Sequence, residues 1–343
     1  MICNKDLSYN QFLSMFKKTA NSHKVFLFSY SIKYAWYCQL IILILFSGSV
    51  FAQSFRQLTG DYLGQTPPGL EATLFAPGIV STDSIEHSSP IFSPDRNMVL
   101  WTRIFSGKPA FIVEMTKENG KWSSPFIPEF VDVRYDHFYP AFSFDGKKLY
   151  FSSRRPMPTG YPKNKDMWIW VVDRENNRWG IPRPLDSSIM QGFEYAHSVS
   201  KYDNIYFSSR RPGSKNFDLY FASLKNDIDK IAVPLDEEIN LAGYEDGPFI
   251  AADESYLIFE SERPESIESS IDLFICFRQK DGNWSKPKNM GPLINTKYAE
   301  RFAVVSPDGK YLFFGSNRNQ RKDNLYFDIF WIDAEVINTL RGD

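Results

Sequence analysis

The chain has 343 residues, 43% of them hydrophobic and 16% aromatic, with a formal charge of −2. That apolar share excludes a disordered chain and suffices for one large core, while the slightly acidic balance excludes a basic nucleic-acid or anionic-membrane binder. Three cysteines in this length exclude a disulfide scaffold.

In chain order, the first feature is Leu40 to Phe46, a seven-residue apolar run too short to span a bilayer. Lys17, Lys18, Lys24 and Lys33 precede it, and the small residues Val50 and Ala52 follow at the positions a signal peptidase reads. The pattern predicts a secretory signal over residues 1–52 with an extended positive region, cleaved after Ala52. A periplasmic or secreted protein with no transmembrane segment in the mature chain is therefore expected; the alternative is a retained membrane anchor. The remainder has a formal charge of −6 and one cysteine, Cys276, so neither an internal disulfide nor a cysteine zinc site is expected. No cysteine follows the apolar run at a lipoprotein position. Residues 53–73 read as a linker.

Beyond it a pattern recurs. "IFSPDRNMVLWTR" begins at Ile91, "FSFDGKKLYFSSRRP" at Phe142, "SVSKYDNIYFSSRRP" at Ser198, "FIAADESYLIFESERP" at Phe249 and "VVSPDGKYLFFGSNR" at Val304. Their turn aspartates, Asp95, Asp145, Asp203, Asp253 and Asp308, are 50, 58, 50 and 55 residues apart, with no helix-period segment between. Each copy reads as two strands joined by a tight turn, and Asp-Gly suits a type I′ hairpin. A third strand follows, beginning at Ala110, Asp166, Asp218, Asp272 and Asp328, then a polar turn and a short fourth strand. Trp122, Trp179 and Trp284, each three residues before a proline, are expected to pack on the neighbouring unit.

Four antiparallel strands repeated at this period make an all-β β-propeller. Five copies supply strands one to three but only four are followed by a fourth strand. "LFAPGIVST" (Leu74 to Thr82) resembles the fourth-strand segments and stands before the first copy. It is expected to pair with the last blade and close a ring of five blades, with six as the alternative.

The "SPDG-K-x-L-x-F-x-S-x-R" pattern, followed by Asp-Ile/Leu-aromatic, resembles the WD40-like PD40 repeat of TolB-type propellers. The resemblance covers residues 74–343, is sharpest at Asp145 to Arg155 and Asp308 to Arg318, and is weakest at Asp95. TolB-type propellers are six-bladed, so the count of five departs from them. The resemblance implies a secreted or periplasmic interaction module.

Aligned on Ser93, Ser143, Ser200, Ala251 and Ser306, the copies place His87, His137, Glu194, Glu245 and Glu300 six residues earlier, at the start of each innermost strand. One per blade, they are expected around the channel mouth, with His197 close by. Such a ring would suit a divalent cation, since imidazole and carboxylate hold Mn, Zn or Fe and carboxylates with water hold Ca. It would also suit acid–base work on a sugar, or be a solvated product of the repeat. Arg155, Arg211, Arg263 and Arg318 end second strands on the same rim. They read as clips to the aspartates that open the third strands, or as a basic collar for acidic sugars and peptide carboxylates.

Two functions remain. One is a non-catalytic, monomeric binding propeller with a protein or carbohydrate ligand in the cell envelope at the channel mouth. The other is a carbohydrate-active hydrolase or lyase at the rim. Propeller lyases of oligogalacturonate are similar in repeat type and hold a metal with histidines. No nucleophile elbow, P-loop or dinucleotide fingerprint is present, and the absence of a hydrolase domain after the propeller argues against a prolyl-oligopeptidase reading.

Overall fold

The turn between the first two strands of each repeat sets the fold. Ser93 Oγ donates to Asp95 (2.6 Å) and accepts the Met98 N–H (3.0 Å). Ser143 with Asp145 and Lys148, and Ser306 with Asp308 and Tyr311, repeat the arrangement. Each turn contains one left-handed residue: Arg96, Gly146, Asp203, Glu254 or Gly309. Asp145 and Asp308 have ordinary negative φ. The expected type I′ turn, which needs two left-handed residues, is thus replaced by a serine-closed turn that needs one.

The structure, a computed structural model, describes residues 57–161, 166–214, 216–225, 231–241, 243–269, 271–319 and 326–342. The signal-peptide reading lies outside these residues. The first strand, β1 (Thr73–Leu74), belongs to the last blade. Blade one is β2 (Ile85–Glu86), β3 (Ile91–Phe92), β4 (Met98–Ile104), β5 (Ala110–Glu118) and β6 (Lys121–Trp122). Blade two is β7 (His137–Phe142), β8 (Lys148–Ser153), β9 (Trp168–Glu175), β10 (Arg178–Trp179) and β11 (Arg183–Pro184). Blade three is β12 (Phe193–Val199), β13 (Asn204–Arg210), β14 (Asp218–Ser223) and β15 (Val233–Pro234). Blade four is β16 (Glu245–Ile250), β17 (Tyr256–Ser261), β18 (Asp272–Phe277) and β19 (Lys288–Asn289). Blade five is β20 (Glu300–Val305), β21 (Tyr311–Ser316), β22 (Asp328–Asp333) and, closing it, β1. Every pairing within a blade is antiparallel, so the fold is the expected all-β propeller of five blades. A short helix, α1 (Glu335–Arg341), follows β22 and buries Val336 and Ile337.

The closing strand is shorter than expected. Thr73 pairs with Trp331 and Leu74 with Phe330, and Phe75 N–H reaches the Ile329 carbonyl. Residues beyond Phe75 turn away, but Ser81 Oγ accepts the Ile329 N–H and fastens the segment again. Residues 57–73, read as linker, pack against the ring instead. Tyr62 and Leu63 are buried, Tyr62 Oη donates to Asp308, and Trp122 Nε1 donates to the Gly60 carbonyl. Phe75 is fully buried among Phe92, Phe313 and Trp331, which joins blade one to blade five.

The other two tryptophans reach back one blade, as expected. Trp179 Nε1 donates to Glu114 of blade one, and Trp284 meets Tyr206 of blade three edge-on. The core lies between blades, filled by the apolar second and third strands. Cys276 sits in it, its thiol pushed up to about 12 by burial.

Candidate functional site

The innermost strands begin with a repeated clip. Glu194 accepts backbone N–H groups of Gln191 and Gly192 and the hydroxyl of Ser209, its partner on the second strand. Glu245 is bonded by Ser261, and Glu300 by Ser316, Thr296 and Arg318. All three carboxylates are buried, which raises their pKa. In blade one the equivalent residue is Glu86, which pairs in register with Arg103 and accepts its Nε at 3.0 Å. In blade two it is His137, whose Nε2 donates to the Asp132 carbonyl. Ring residues are thus turned into their own blades.

His87 falls outside that register. Ser93 follows Glu86 by seven positions where the corresponding step in the other blades is six, so the side chain expected on the ring moves to the axis. Among the described residues no three of His, Cys, Asp and Glu are grouped to hold a metal ion.

The arginines complete the clips. Arg103, Arg155, Arg211, Arg263 and Arg318 each donate to a carbonyl about two dozen residues earlier: Ile79, Phe130, Ile189, Ile239 and Ile294. Those carbonyls belong to the turn entering the same blade. Arg211 and Arg263 also approach Glu194 and Glu245 at 3.6 and 3.7 Å. Arg–Asp clips are not what forms at Arg263: Asp272 instead accepts the Ile267 N–H and Asn289. Ile79 plays the same part as the other isoleucines, which is why "LFAPGIVST" reads like the segments before the other blades.

Midway along four of the inner strands a β-bulge shifts the register, between Phe138 and Ala141, Glu194 and His197, Asp246 and Phe249, and Arg301 and Val304. Bulges aim side chains at the axis. Tyr139, Gly247 and Phe302 adopt φ of 50°, 60° and 60° there. The bulge residues meet in an axial plug. His87 Nε2 lies 2.7 Å from Tyr195 Oη, and the His87 ring contacts Phe138, Tyr139 and Phe302. Burial, then the charge of Arg301, pushes His87 down to about 3, so it is neutral.

Arg301 is the plug's cation. It donates to Glu260 (2.6 Å), Tyr244 Oη (2.5 Å) and Asp246 (3.3 Å), and both carboxylates are fully buried. Burial raises the Glu260 carboxyl while Arg301 pulls it back. Sequence alignment missed Glu260, Tyr244 and Tyr195. One signal was available: Glu260 stands where the other second strands have Thr102, Ser152, Ser208 and Gly315. Those residues stitch each blade to the next. Thr102 Oγ1 accepts the Tyr139 N–H, Ser152 donates to the Tyr195 carbonyl, Ser208 donates to Asp246, and Glu260 accepts the Phe302 N–H. Gly315 has no side chain; a Cβ there would lie 2.7 Å from the Phe302 ring.

Between the plug and the turn face lies a cavity of about 710 Å³ lined by all five inner strands. Its rim includes the equivalent residue of every turn, Pro94, Phe144, Lys201, Ala252 and Pro307, with Asp253 and Ser255 added from blade four. Phe144 is 58% exposed there. His197 lies at the cavity wall with Nδ1 3.3 Å from Ser152 Oγ, and burial pushes it down to about 4. The axis is therefore open toward the turns and plugged below the arginine-bearing face.

The class these sheets define is a five-bladed β-propeller. The chain is similar to a solved TolB of Agrobacterium tumefaciens at 19% identity, over 71% of this chain and 73% of that one, with a TM-score of 0.47. It is similar to TolB of Acinetobacter baumannii at 15% identity, over 75% of this chain and 59% of that one, also at 0.47. A thermostable family-43 glycoside hydrolase is similar at 12% identity, over 75% and 91%, again at 0.47. No family model and no curated protein matches the chain.

Proposed function

We propose that this protein is a non-catalytic, monomeric binding propeller of the periplasm or the secreted fraction. Its ligand, a protein segment or carbohydrate of the cell envelope, enters the central cavity through the turn-face mouth. The observation that carries the reading is the cavity itself: all five blades line it, and its volume is within the roughly 300–1,000 Å³ of ligand pockets. Inner strands are sheet edges, but Tyr139 and Phe302 N–H are bonded to the neighbouring blade and Pro140 and Pro248 have no N–H, so a guest would be held by the lining side chains more than by strand pairing. The ring of carboxylates supports the walls rather than the guest, because its members are buried and bonded within their own blades. Among the described residues no helix is long and apolar enough to cross a membrane.

Glycan and peptide arrays made from envelope components test the reading. Wild type should bind a defined ligand, and Ala252→Trp, which narrows the rim, should lose it with an unchanged melting temperature. No ligand, or equal binding by the variant, would overturn it. N-terminal sequencing of exported protein should begin at Gln53.

A further inference from the structure

The arginine-bearing face carries a second feature, remote from the cavity mouth. Blades two and three both end the second strand in Arg-Arg. The second of each pair, Arg155 or Arg211, is the clip. The first, Arg154 or Arg210, is exposed. Arg154 has an acid at hand: its N–H bonds the Asp136 carbonyl, and its guanidinium lies 3.5 Å from the Asp136 carboxylate. In blade three the residue opposite is Phe193, in register with Arg210. The acid has been replaced by a ring.

Arg210 consequently has no hydrogen bond or ion pair to its guanidinium among the described residues. It is held by aromatic faces instead, 5.4 Å from the Phe193 centroid and 5.6 Å from that of Phe217. Arg154 lies over the same Phe193 ring, 5.3 Å away. Packing against rings leaves the edge N–H groups of a guanidinium free, the arrangement that receives a carboxylate through two parallel bonds. Beside Arg210 is a pocket of about 300 Å³, lined otherwise by Asp166, Gln191, Gly192, Arg211 and Ser214 among others, so one carboxylate faces two arginines there. Amide, hydroxyl and backbone groups there match ligand hydroxyls better than an apolar side chain.

We propose that Arg210, packed against the Phe193–Phe217 ring pair and supported by Arg154, is the receptor for the carboxylate of an acidic sugar whose hydroxyls occupy the adjoining pocket. The site is independent of the turn-face cavity, and the two fail separately. The test is an array of uronate oligosaccharides (galacturonate, glucuronate, mannuronate and guluronate), each beside its carboxyl-reduced neutral counterpart, with positives measured by titration calorimetry. Free peptide C-termini form a third arm. Wild type should bind at least one uronate and not its reduced form. Arg210→Ala should weaken binding at least tenfold and Arg154→Ala less, because Asp136 already shares that charge. Ala252→Trp should leave uronate binding unchanged. The proposal is overturned if no uronate binds, if reduced forms bind equally, if peptides bind more tightly than uronates, or if Arg210→Ala binds like wild type while retaining the wild-type melting temperature.

Discussion

Arg301 Nε lies 2.6 Å from Glu260 Oε2, and the bond crosses from blade five to blade four. The other oxygen of Glu260 accepts the Phe302 N–H, so one carboxylate both neutralises the axial cation and pins the bulge beside it. Removing one partner of a buried pair leaves the other charge uncompensated, at a cost of about 3–5 kcal/mol. Glu260→Ala should therefore unfold at markedly lower denaturant concentration. Lys286→Ala, which breaks the exposed pair with Glu238, should shift stability by under about 0.5 kcal/mol. Equal midpoints for the two variants in guanidinium melts would remove the plug from the stability of the fold.

Gly247 gives a sharper test of the same network. Its φ is 60°, and a Cβ there would lie 2.3 Å from Glu260 Oε1. Gly309 has a φ of 72° with nothing within 4 Å of a Cβ. Both alanine variants meet the left-handed backbone penalty of about 1 kcal/mol. Only Gly247→Ala must also displace a buried carboxylate. It should lose clearly more stability than Gly309→Ala, and comparable urea midpoints would contradict the packing described.

The repeat was legible because the turns and clips use particular atoms: a serine hydroxyl in four of the five turns, an aspartate, an arginine that reaches back. Closure by an N-terminal segment was legible because Ile79 stands in a stretch resembling those before the other blades. The axis was not. Whether His87 or Glu86 joins the ring depends on one extra residue in blade one, and a one-residue slip reverses which way a strand side chain points. The plug was hidden because its members come from different strands of different blades. Glu260 showed only as a departure from small residues (Thr102, Ser152, Ser208 and Gly315), and Tyr195 and Tyr244 sit where the copies agree on nothing.

Closure can be tested by shortening the chain. A form beginning at Gln57 retains Tyr62, Phe75 and Ser81 and should melt in one cooperative transition. A form beginning at Asp83 loses the strand on β22 and the aromatic wedge between blades one and five, leaving an exposed edge. It should aggregate or melt broadly. Within the longer form, Phe75→Ala empties a fully buried site and should cost about 3–5 kcal/mol. Matching calorimetric traces for the two truncations would refute closure by this segment.

Blade two differs from the others in having His137 where they have glutamate, and Arg155 Nε is buried there without a hydrogen-bond partner. Burial pushes His137 down to about 4, partly offset by its bond to the Asp132 carbonyl, against about 6.5 unfolded. Unfolding then takes up a proton between those values. The histidine's contribution is complete above pH 6.5 and is lost as pH falls through 4. A carboxylate at the same place behaves oppositely. Glu86, raised to about 7 by burial, contributes fully below its unfolded value and loses that contribution as pH rises through 7. His137→Glu gives Arg155 a partner and should lie within about 1 kcal/mol of wild type at neutral pH, the scale of one hydrogen bond. Below that, the stability of wild type minus that of the variant should fall steadily from pH 7 to pH 4, since the histidine term weakens while the carboxylate term strengthens. Urea melts of both proteins at four pH values across this interval measure the difference directly. A flat or rising difference toward low pH would show that burial at this place shifts neither the histidine nor the carboxylate that replaces it.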